Sequence, residues 1–310
     1  MSKDGISRRE FMKRAAALGL SAYGLSRLGV FGAAEAGASA EAASGPTLVV
    51  ASNRPAAELV RAAVQGLGGM QRFVSRGDSV LVKPNIAWAR RPEQGATTSP
   101  EIVAEVVRLC LQAGASQVKV MDHAVDRPDA LLLRMTGIGP AAEAAGATVR
   151  MASSQAMYQS MSLPRGRVLR SAEVLRDLQR ADVFINVPIA KVHGSTGLTL
   201  GCKNLMGVVW DRGAWHGSES LDQCLADFAA HVRPDLVILD ALRTLMSNGP
   251  KGPGRLEEHN MVVAGSDPLA VDAFGATLFN RRADQVEHLT RAHALGVGEI
   301  DLERVRIQRV

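Results

Sequence analysis

Short apolar runs rich in valine and isoleucine alternate with amphipathic segments over most of the chain. Several runs are apolar on both faces, as in Val183-Phe184-Ile185. Strands of a parallel sheet need this pattern because helices cover both sides of the sheet, and the alternation indicates βαβ units. We therefore predict an α/β fold with a mostly parallel, doubly wound (Rossmann-like) sheet and helices on both faces. The predicted strands are Thr47–Ser52, Ser79–Asn85, Val118–His123, Thr148–Ala152, Asp182–Pro188, Leu236–Ala241, Asn260–Gly265 and Val305–Val310, and the predicted helices are Ala56–Leu67, Pro100–Ala113, Pro128–Ala145, Glu219–His231, Pro268–Phe279 and Asp284–Ala294.

Two of these helices begin with the same pair of signals. Ser99 precedes Pro100, and Asp267 precedes Pro268. A serine or aspartate side chain at this position accepts a hydrogen bond from a free backbone N–H, and proline suits the first helical position. We therefore expect Ser99 and Asp267 to cap their helices.

The first 40 residues have the three parts of a secretory leader, namely a charged start, an apolar stretch and small-residue cleavage sites. The segment Ser7-Arg8-Arg9-Glu10-Phe11-Met12-Lys13 matches the S-R-R-x-F-x-K pattern, and the apolar stretch Ala15–Ala34 follows it. Paired arginines are typical of twin-arginine signals. We predict that Arg8 and Arg9 direct export through the twin-arginine (Tat) translocase, which gives a periplasmic or otherwise exported protein. A basic, disordered N-terminus is the alternative reading of the same residues.

After the leader, we expect a single α/β domain over residues 46–310. The chain has 36 Lys and Arg against 31 Asp and Glu, a formal net charge of +5. This excess is mild, and no basic run is interleaved with aromatic residues as in nucleic-acid-binding proteins. We therefore predict no nucleic-acid partner.

The chain has three cysteines, Cys110, Cys202 and Cys224, and none of them forms a C-x-x-C motif. Three thiols cannot supply the four cysteine ligands of an iron–sulfur cluster. The sequence therefore contains no iron–sulfur site of its own, and its residues identify no other cofactor. A disulfide between Cys202 and Cys224 after export is one alternative that the sequence leaves open.

Polar residues follow several of the predicted strands. Lys83 and Asn85 end the second strand, Lys191 and His193 follow the fifth, and Asp240 lies at the end of the sixth. Ligands of doubly wound sheets bind beyond the carboxyl ends of the strands. Two lysines within about 6 Å of each other would repel by roughly 2–3 kcal/mol at an effective dielectric near 20. Such a site binds an anion or keeps one lysine neutral as a base or nucleophile.

These positions and the glycine-punctuated segment Thr199–Gly207 give the candidate site. We expect an anionic small molecule as its ligand. The same strand ends also allow a mixed metal site, made of Asp122, His123, His193 and Asp240. The turn-rich loop from Asn248 to Gly254 is either a lid over the site or a surface connection. The predicted catalytic residues are Lys191, His193 and Lys203, and the predicted ligand-binding residues are Lys83, Asn85, Asn204 and Asp240.

A set of motifs in the same order resembles a known but uncharacterised family. They are Val80-Leu81-Val82-Lys83-Pro84-Asn85, Thr98-Ser99-Pro100-Glu101, Asn186-Val187-Pro188, Lys191-Val192-His193, Lys203-Asn204-Leu205-Met206-Gly207, Pro234-Asp235-Leu236 and Val263-Ala264-Gly265-Ser266-Asp267-Pro268. The chain thus resembles the domain of unknown function 362 family, whose members occur alone or fused to ferredoxin-like iron–sulfur modules. The resemblance implies an α/β fold and a link to an iron–sulfur redox protein as partner. This chain lacks the cysteine-rich module, so any cluster would belong to that partner.

Three functional hypotheses follow. The first is an exported enzyme that acts on an anionic small molecule, with His193 or a neutral lysine as acid or base. The second is a non-catalytic binding or delivery module, or a docking partner of a redox protein, which needs no acid or base. The third is a scaffold without a ligand, and it predicts lysines that are scattered over the surface.

Overall fold

The computed structural model describes residues 45–216 and 220–310, and its centre is a ten-stranded sheet. The predicted export signal, with Arg8 and Arg9, lies outside these residues. None of the described helices is long and apolar enough to cross a membrane. The described strands are β1 (Thr47–Ser52), β2 (Ser79–Pro84), β3 (Gln117–Asp122), β4 (Thr148–Met151), β5 (Tyr158–Ser162), β6 (Ser171–Leu175), β7 (Val183–Val187), β8 (Ile189–His193), β9 (Gly197–Thr199), β10 (Leu236–Leu245), β11 (Leu256–Gly265) and β12 (Arg306–Arg309).

The main sheet has the strand order β12-β1-β11-β10-β7-β2-β3-β4. The run from β10 to β4 is entirely parallel, and β12 is parallel to β1. β8 leaves the line of β7 after Pro188 and continues beside the distal half of β10, in parallel register, while β9 folds back on β8. The carboxyl ends of β2, β3 and β7 therefore face the segment that β8 and β9 form.

Helices cover both faces of the sheet, as the both-sided apolar runs predict. In β1, Leu48 and Val50 pack into the core on one face, and Val49 and Ala51 pack into the core on the other. The helices are α1 (Ala56–Gly66), α2 (Pro100–Gln112), α3 (Ala130–Thr136), α4 (Ile138–Ala144), α5 (Arg176–Arg180), α6 (Gly201–Asn204), α7 (Gly213–His216), α8 (Leu221–Ala229), α9 (Pro268–Thr277) and α10 (Glu287–Ala294). Helices α1 to α4 contribute to one core, and α8 to α10 contribute to the other.

The predicted fold class and all eight predicted strands are confirmed. The structure differs in three respects. β11 is antiparallel to both of its neighbours, β10 continues to Leu245, and four further strands (β5, β6, β8 and β9) are present. All four of these strands are five residues or shorter with mixed burial, and β8 also follows Pro188 directly. They therefore lack the long apolar run by which strands are recognised in a sequence.

The predicted helix from Pro128 to Ala145 is two helices in the structure. Gly137 separates α3 from α4 and adopts a left-handed conformation, with φ of 71°. This backbone conformation is accessible to glycine at little cost and interrupts the helical hydrogen bonds. The chain can therefore turn between two amphipathic segments that the sequence pattern alone reads as continuous.

Only one of the two predicted helix caps is present. The Asp267 carboxylate accepts hydrogen bonds from the backbone N–H groups of Leu269 and Ala270 at 2.9 and 3.0 Å, which confirms that prediction. The Ser99 prediction is wrong, because its hydroxyl donates to the Glu101 carboxylate at 2.6 Å instead of accepting from the backbone. The acidic residue two positions along offers Ser99 a charged acceptor, and this contact replaces the cap.

Ser99 and Asp267 each precede a proline at the start of a helix, so substitutions at these two positions form a matched pair. Asp267→Ala removes a carboxylate that satisfies free backbone N–H groups, so we expect a loss of about 1–2 kcal/mol in the free energy of unfolding. Ser99→Ala removes no backbone cap, and we expect a loss below about 0.5 kcal/mol. Denaturant unfolding followed by circular dichroism measures both values. Equal losses would contradict the assignment.

Candidate functional site

A buried ion pair joins the carboxyl ends of β2 and β3. Lys83 Nζ lies 2.8 Å from Asp122 Oδ1, and the two side chains are 1% and 3% exposed. The ammonium also donates to the carbonyl of Pro84, and the carboxylate accepts from the backbone N–H groups of Ile86 and His123. Burial lowers the pKa of Lys83, and the charge of Asp122 opposes that shift. The pair therefore satisfies its own charges without a ligand.

Gly207 lies directly over this ion pair. A Cβ atom at this position would be 1.9 Å from Asp122 Oδ1 and 2.6 Å from Lys83 Nζ. Real Cβ atoms do not approach polar atoms so closely, so this position requires glycine. The close approach docks the turn Leu205–Val208 onto the strand ends, and the Gly207 carbonyl accepts from the His123 N–H at 3.0 Å.

A chain of three asparagines runs beside the ion pair. The Asn85 amide donates to Asn204 Oδ1 at 3.0 Å, and the Asn204 amide donates to Asn186 Oδ1 at 2.8 Å. Asn186 in turn donates to the carbonyl of Gly201 at 3.0 Å. All three asparagines are buried. The chain fixes the orientation of each amide, because every carboxamide oxygen and nitrogen in it has an assigned partner.

Lys191 is 1% exposed and forms no ion pair among the described residues. Its Nζ donates to Asn85 Oδ1 at 3.3 Å and to the carbonyl oxygen of Ala96. Burial lowers the pKa of Lys191 to about 7, and the charges of Lys203 and Lys83 add to the shift. The structure therefore holds an amine that is neutral in an appreciable fraction of molecules at neutral pH.

Lys203 and His193 complete the predicted set. Burial and the charge of Arg212 lower the pKa of Lys203 to about 8, so this lysine is protonated at neutral pH. Burial and the charges of Lys203 and Lys191 lower the pKa of His193 to about 3. His193 Nδ1 accepts from the backbone N–H of Ser195 at 3.1 Å, so the proton of the neutral ring is on Nε2. His193 is thus a neutral hydrogen-bond donor, and its low pKa makes it a poor base.

One cavity of about 70 Å³ collects six of the seven predicted site residues. A cavity of this size has room for a few water molecules. The cavity therefore encloses the reacting end of a ligand or a small molecule of a few carbon atoms. The predicted residues that line it are Lys83, Asn85, Lys191, His193, Lys203 and Asn204.

Arg212 and His123 also line the cavity. The sequence patterns did not select Arg212, and they gave His123 only as a candidate metal ligand. Arg212 donates to the carbonyls of His123 and Ala124 at 2.8 and 2.9 Å. His123 stacks on Trp210 with ring centroids 5.2 Å apart. Its Nδ1 lies 3.0 Å from the Val209 carbonyl, which can only accept, so the Nε2 of the neutral ring carries a lone pair. Burial and the charge of Arg212 lower the pKa of His123, which keeps the ring neutral.

Two hydrogen-bond donors at the cavity have no partner within the described residues. They are the hydroxyl of Thr199 and the indole N–H of Trp88, and both atoms are buried. A buried donor without an acceptor costs about 1–3 kcal/mol. Native proteins rarely leave such groups unsatisfied, so Thr199 and Trp88 have hydrogen-bonding capacity to spare.

Asp240 differs from the prediction and is not among the residues that line the cavity. Its carboxylate accepts from the backbone N–H groups of Ser99 and Leu242 at 2.7 and 3.0 Å. The reason is that β10 continues five residues beyond Asp240, to Leu245, so this residue lies within the strand and not at its end. Burial raises the pKa of Asp240 to about 6, and its observed contacts are structural.

The two alternatives for metal and disulfide chemistry are also corrected. Cys202 and Cys224 form no disulfide, and both are buried. In residues 45–216 and 220–310, no group of three or more His, Cys, Asp or Glu side chains is placed to hold a metal ion. Asp122 is engaged by Lys83 and by backbone N–H groups. Asp122, His123 and His193 all line the cavity, but they are not placed to share a metal ion, and Asp240 lies outside the lining.

The turn-rich loop from Asn248 to Gly254 lies at the cavity. Pro250 lines it, and Lys251 Nζ lies 5.5 Å from the centroid of the Trp88 ring. Gly249 packs so closely on the backbone that a Cβ atom there would be 2.0 Å from the Val192 carbonyl oxygen. The loop is thus part of the wall of the site.

The comparison with known sequences matches the part of the chain that forms the cavity. The sequence model of a domain of unknown function, DUF362, matches residues 80–277. The chain belongs to the DUF362 family. The matched range contains every residue of the cavity, which makes the cavity part of the family domain.

The relatives of this DUF362 chain give little further information on activity. A thylakoid-associated protein, sll1697, from Synechocystis sp. is 29% identical over 231 residues, and the match covers 69% of this chain and 66% of that protein. A lactate racemase apoprotein from Thermoanaerobacterium thermosaccharolyticum matches with a TM-score of 0.49 and 12% identity, over 79% of this chain and 58% of that one. A structure from Thermotoga maritima matches with a TM-score of 0.48 and 10% identity, over 72% and 59%. The chain therefore spans less than two thirds of each of these proteins.

The position of Gly207 gives a test of how the site is built. Gly207→Ala places a methyl group against the buried ion pair, so we expect the free energy of unfolding to fall by about 3 kcal/mol or more, the cost of disrupting a buried pair. Gly194→Ala is the matched control, because nothing lies within 4 Å of a Cβ atom there. Denaturant unfolding measures both variants. A Gly207→Ala protein as stable as Gly194→Ala would contradict the packing described above.

Proposed function

We propose that this DUF362 protein is an enzyme that binds a small anionic molecule in the cavity and transfers a proton with Lys191. The observation that carries the proposal is the imbalance of charge at the cavity. Beside Lys191, three cationic side chains line it (Lys83, Lys203 and Arg212), and Asp122 is the one carboxylate among the lining residues. Asp122 is committed to Lys83, so the charges of Lys203 and Arg212 have no carboxylate partner within the lining.

An anionic ligand would relieve two unfavourable features at once. It would supply negative charge to Lys203 and Arg212, whose pKa values are lowered by burial. Its oxygen atoms would accept hydrogen bonds from Thr199 and Trp88, which have no other partner among the described residues. Carboxylate and phosphate groups combine both properties, and charge-assisted hydrogen bonds to them are about twice as strong as neutral ones.

The pKa values divide the roles of the titratable groups. A general base works best when its pKa is near the working pH, and burial brings the pKa of Lys191 to about 7. Lys203, with a pKa of about 8, remains a cation at neutral pH and is suited to hold the anion. The ring of His193 donates through Nε2 and would orient the ligand. This assignment transfers the acid–base role from His193 to Lys191.

Isothermal titration with acetate, oxalate and inorganic phosphate tests the binding step. We expect Lys203→Met to weaken binding of the best probe at least tenfold, about 1.4 kcal/mol, because it removes the cation that faces the anion. Lys119→Met is the matched control, since Lys119 pairs with Asp177 away from the cavity. We expect this variant to bind as the wild type does.

The pH dependence of the same titration has a defined sign. Lys203 is protonated below a pKa of about 8 and neutral above it. The affinity of the wild type should therefore fall as the pH rises through 8, and the Lys203→Met variant should lose this dependence. A wild type that binds none of the probes between pH 6 and 8 would exclude the proposed function. Binding without turnover of any small acid would favour a delivery module instead.

We also propose that the protein is exported through the twin-arginine pathway, on the basis of the S-R-R-x-F-x-K segment. We expect the double substitution Arg8→Lys, Arg9→Lys to retain the chain in the cytosol, because the paired arginines are the address that the translocase reads. Arg14→Lys, which lies outside the pair, should leave export unchanged. Fractionation and immunoblotting in a bacterium with a functional twin-arginine system give the readout. Equal export of both variants would rule out the signal.

A further inference from the structure

We propose that Lys191 is a nucleophile that forms an imine with a small 2-oxo acid. The cavity would hold this acid with its carbonyl group against the Lys191 amine. This inference rests on the proposed function, because it needs an anion held in the cavity. It goes further by naming the substrate class and the covalent step.

The hydrogen bonds of Lys191 fit a neutral amine. Nζ has two acceptors, the carbonyl oxygen of Ala96 and Oδ1 of Asn85. A neutral amine has two N–H groups and one lone pair, whereas an ammonium has three N–H groups and no lone pair. The two acceptors account for both N–H groups of the neutral form and leave the lone pair without a partner, in a residue that lines the cavity.

The orientation of Asn85 makes this arrangement specific. Asn85 donates through Nδ2 to Asn204 at 3.0 Å, which fixes its Oδ1 as the group that faces Lys191. The amide therefore cannot turn to present its NH₂ group to the amine. The asparagine chain acts in this way as a positioning device for the lone pair of Lys191, and Asn85 and Asn204 are positioning residues in the inferred reaction.

The other two lysines of the cavity are unsuited to this role. Lys83 forms an ion pair with Asp122 and is covered by Gly207. Lys203 is protonated at neutral pH, and its ammonium donates to the Met206 sulfur at 3.0 Å. An amine without a carboxylate partner, next to fixed positive charges, is the arrangement by which lysine nucleophiles are activated.

The remaining groups of the cavity match the two ends of a 2-oxo acid. Lys203 and Arg212 would hold the carboxylate, and the free donors of Thr199 and Trp88 would bind its oxygen atoms or the carbonyl oxygen. The cavity of about 70 Å³ fits a small acid or the reacting end of a larger one. A 2-oxo acid has a carboxylate bonded directly to a carbonyl carbon. It is therefore the smallest type of molecule that can bind the cations and react with the amine.

Formation of the imine conserves atoms and charge. The lone pair of Lys191 Nζ attacks the carbonyl carbon, the C=O π bond breaks, and the oxygen takes a proton from the Lys203 ammonium. The amine nitrogen then returns one proton to Lys203, which leaves a neutral carbinolamine. A second proton transfer to the hydroxyl releases water, and the nitrogen lone pair forms the C=N bond of an iminium ion. The net reaction consumes the amine, the 2-oxo acid and one proton from solvent, and it yields the iminium ion and water.

Reductive trapping of the full-length protein tests the inference. The protein is incubated at pH 7.5 with pyruvate, 2-oxobutyrate or 2-oxoglutarate in the presence of sodium cyanoborohydride, which reduces iminium ions. We expect one adduct per chain, with a mass gain equal to the oxo acid minus one oxygen atom. Peptide mapping should place it on Lys191, at least tenfold above Lys119 and Lys251. The small cavity predicts more adduct with pyruvate than with 2-oxoglutarate.

Substitutions distinguish the role of the Lys191 amine from the role of the residues around it. Lys191→Met keeps the length and the apolar stem of the side chain and should abolish the adduct, whereas Lys119→Met should leave it unchanged. The wild-type peptide map decides the matter if Lys191→Met fails to fold, because the half-buried Lys119 and the exposed Lys251 serve as internal controls in the same sample. Asn85→Asp places a carboxylate against Lys191, stabilises its ammonium form and should lower the trapping rate at least tenfold.

The outcomes distinguish this inference from the function on which it rests. Anion binding that depends on Lys203, together with no adduct at Lys191 for any of the three acids, would overturn the imine and leave the proton-transfer role. The absence of anion binding would overturn both. An adduct spread equally over Lys119, Lys251 and Lys191 would show unselective chemistry and overturn the inference.

Discussion

The site is organised around one ammonium and one carboxylate that are both withdrawn from water. The desolvation of such a pair is repaid only when further hydrogen bonds satisfy the remaining lone pairs and protons. Here Lys83 donates to the Pro84 carbonyl, and Asp122 accepts from two backbone N–H groups. The pair ties β2 to β3, and Gly207 can lie on it only because it has no side chain. The turn Leu205–Val208 is docked in this way, and the adjoining helix α6 brings Lys203 and Asn204 to the strand ends.

A clear division between structural and reactive polar groups follows from this arrangement. Lys83, Asp122 and the asparagines find their partners within the protein. Lys203, Arg212 and the free donors of Thr199 and Trp88 have charge or hydrogen-bonding capacity left over on the cavity side. The first group provides rigidity, because each member is oriented by its neighbours. In the function that we propose, the second group provides affinity, because a ligand with acceptor atoms would satisfy its capacity. The link to iron–sulfur partners stays a prediction from the family resemblance.

Sequence patterns predicted the sheet well and the site in part, for identifiable physical reasons. A strand that is apolar on both faces ends in the sequence where its apolar run stops. This feature allowed Lys83, Asn85 and Lys191 to be predicted at one edge of the sheet, and all three line the cavity. Asp240 was misplaced because the apolar pattern of β10 weakens before the strand ends. Arg212 and Trp88 lie in short or irregular segments whose residues show no period, and Thr199 was included only as part of the glycine-punctuated segment Thr199–Gly207. Their convergence depends on the departure of β8 from β7 and on the docking of Gly207, and neither is encoded in a local pattern.

The cause of the low pKa of Lys191 decides whether the amine stays reactive after a ligand binds. If neighbouring charges were the main cause, an anion beside Lys203 and Arg212 would neutralise them and return the amine to its protonated form. Burial is instead the largest contribution, ahead of the charge of Lys203. Lys191 is only 1% exposed without any ligand, so this contribution does not depend on the charges that a ligand would neutralise. The same cavity can therefore attract an acid with its cations and still present it to a neutral amine, which a site based on charge repulsion alone could not do.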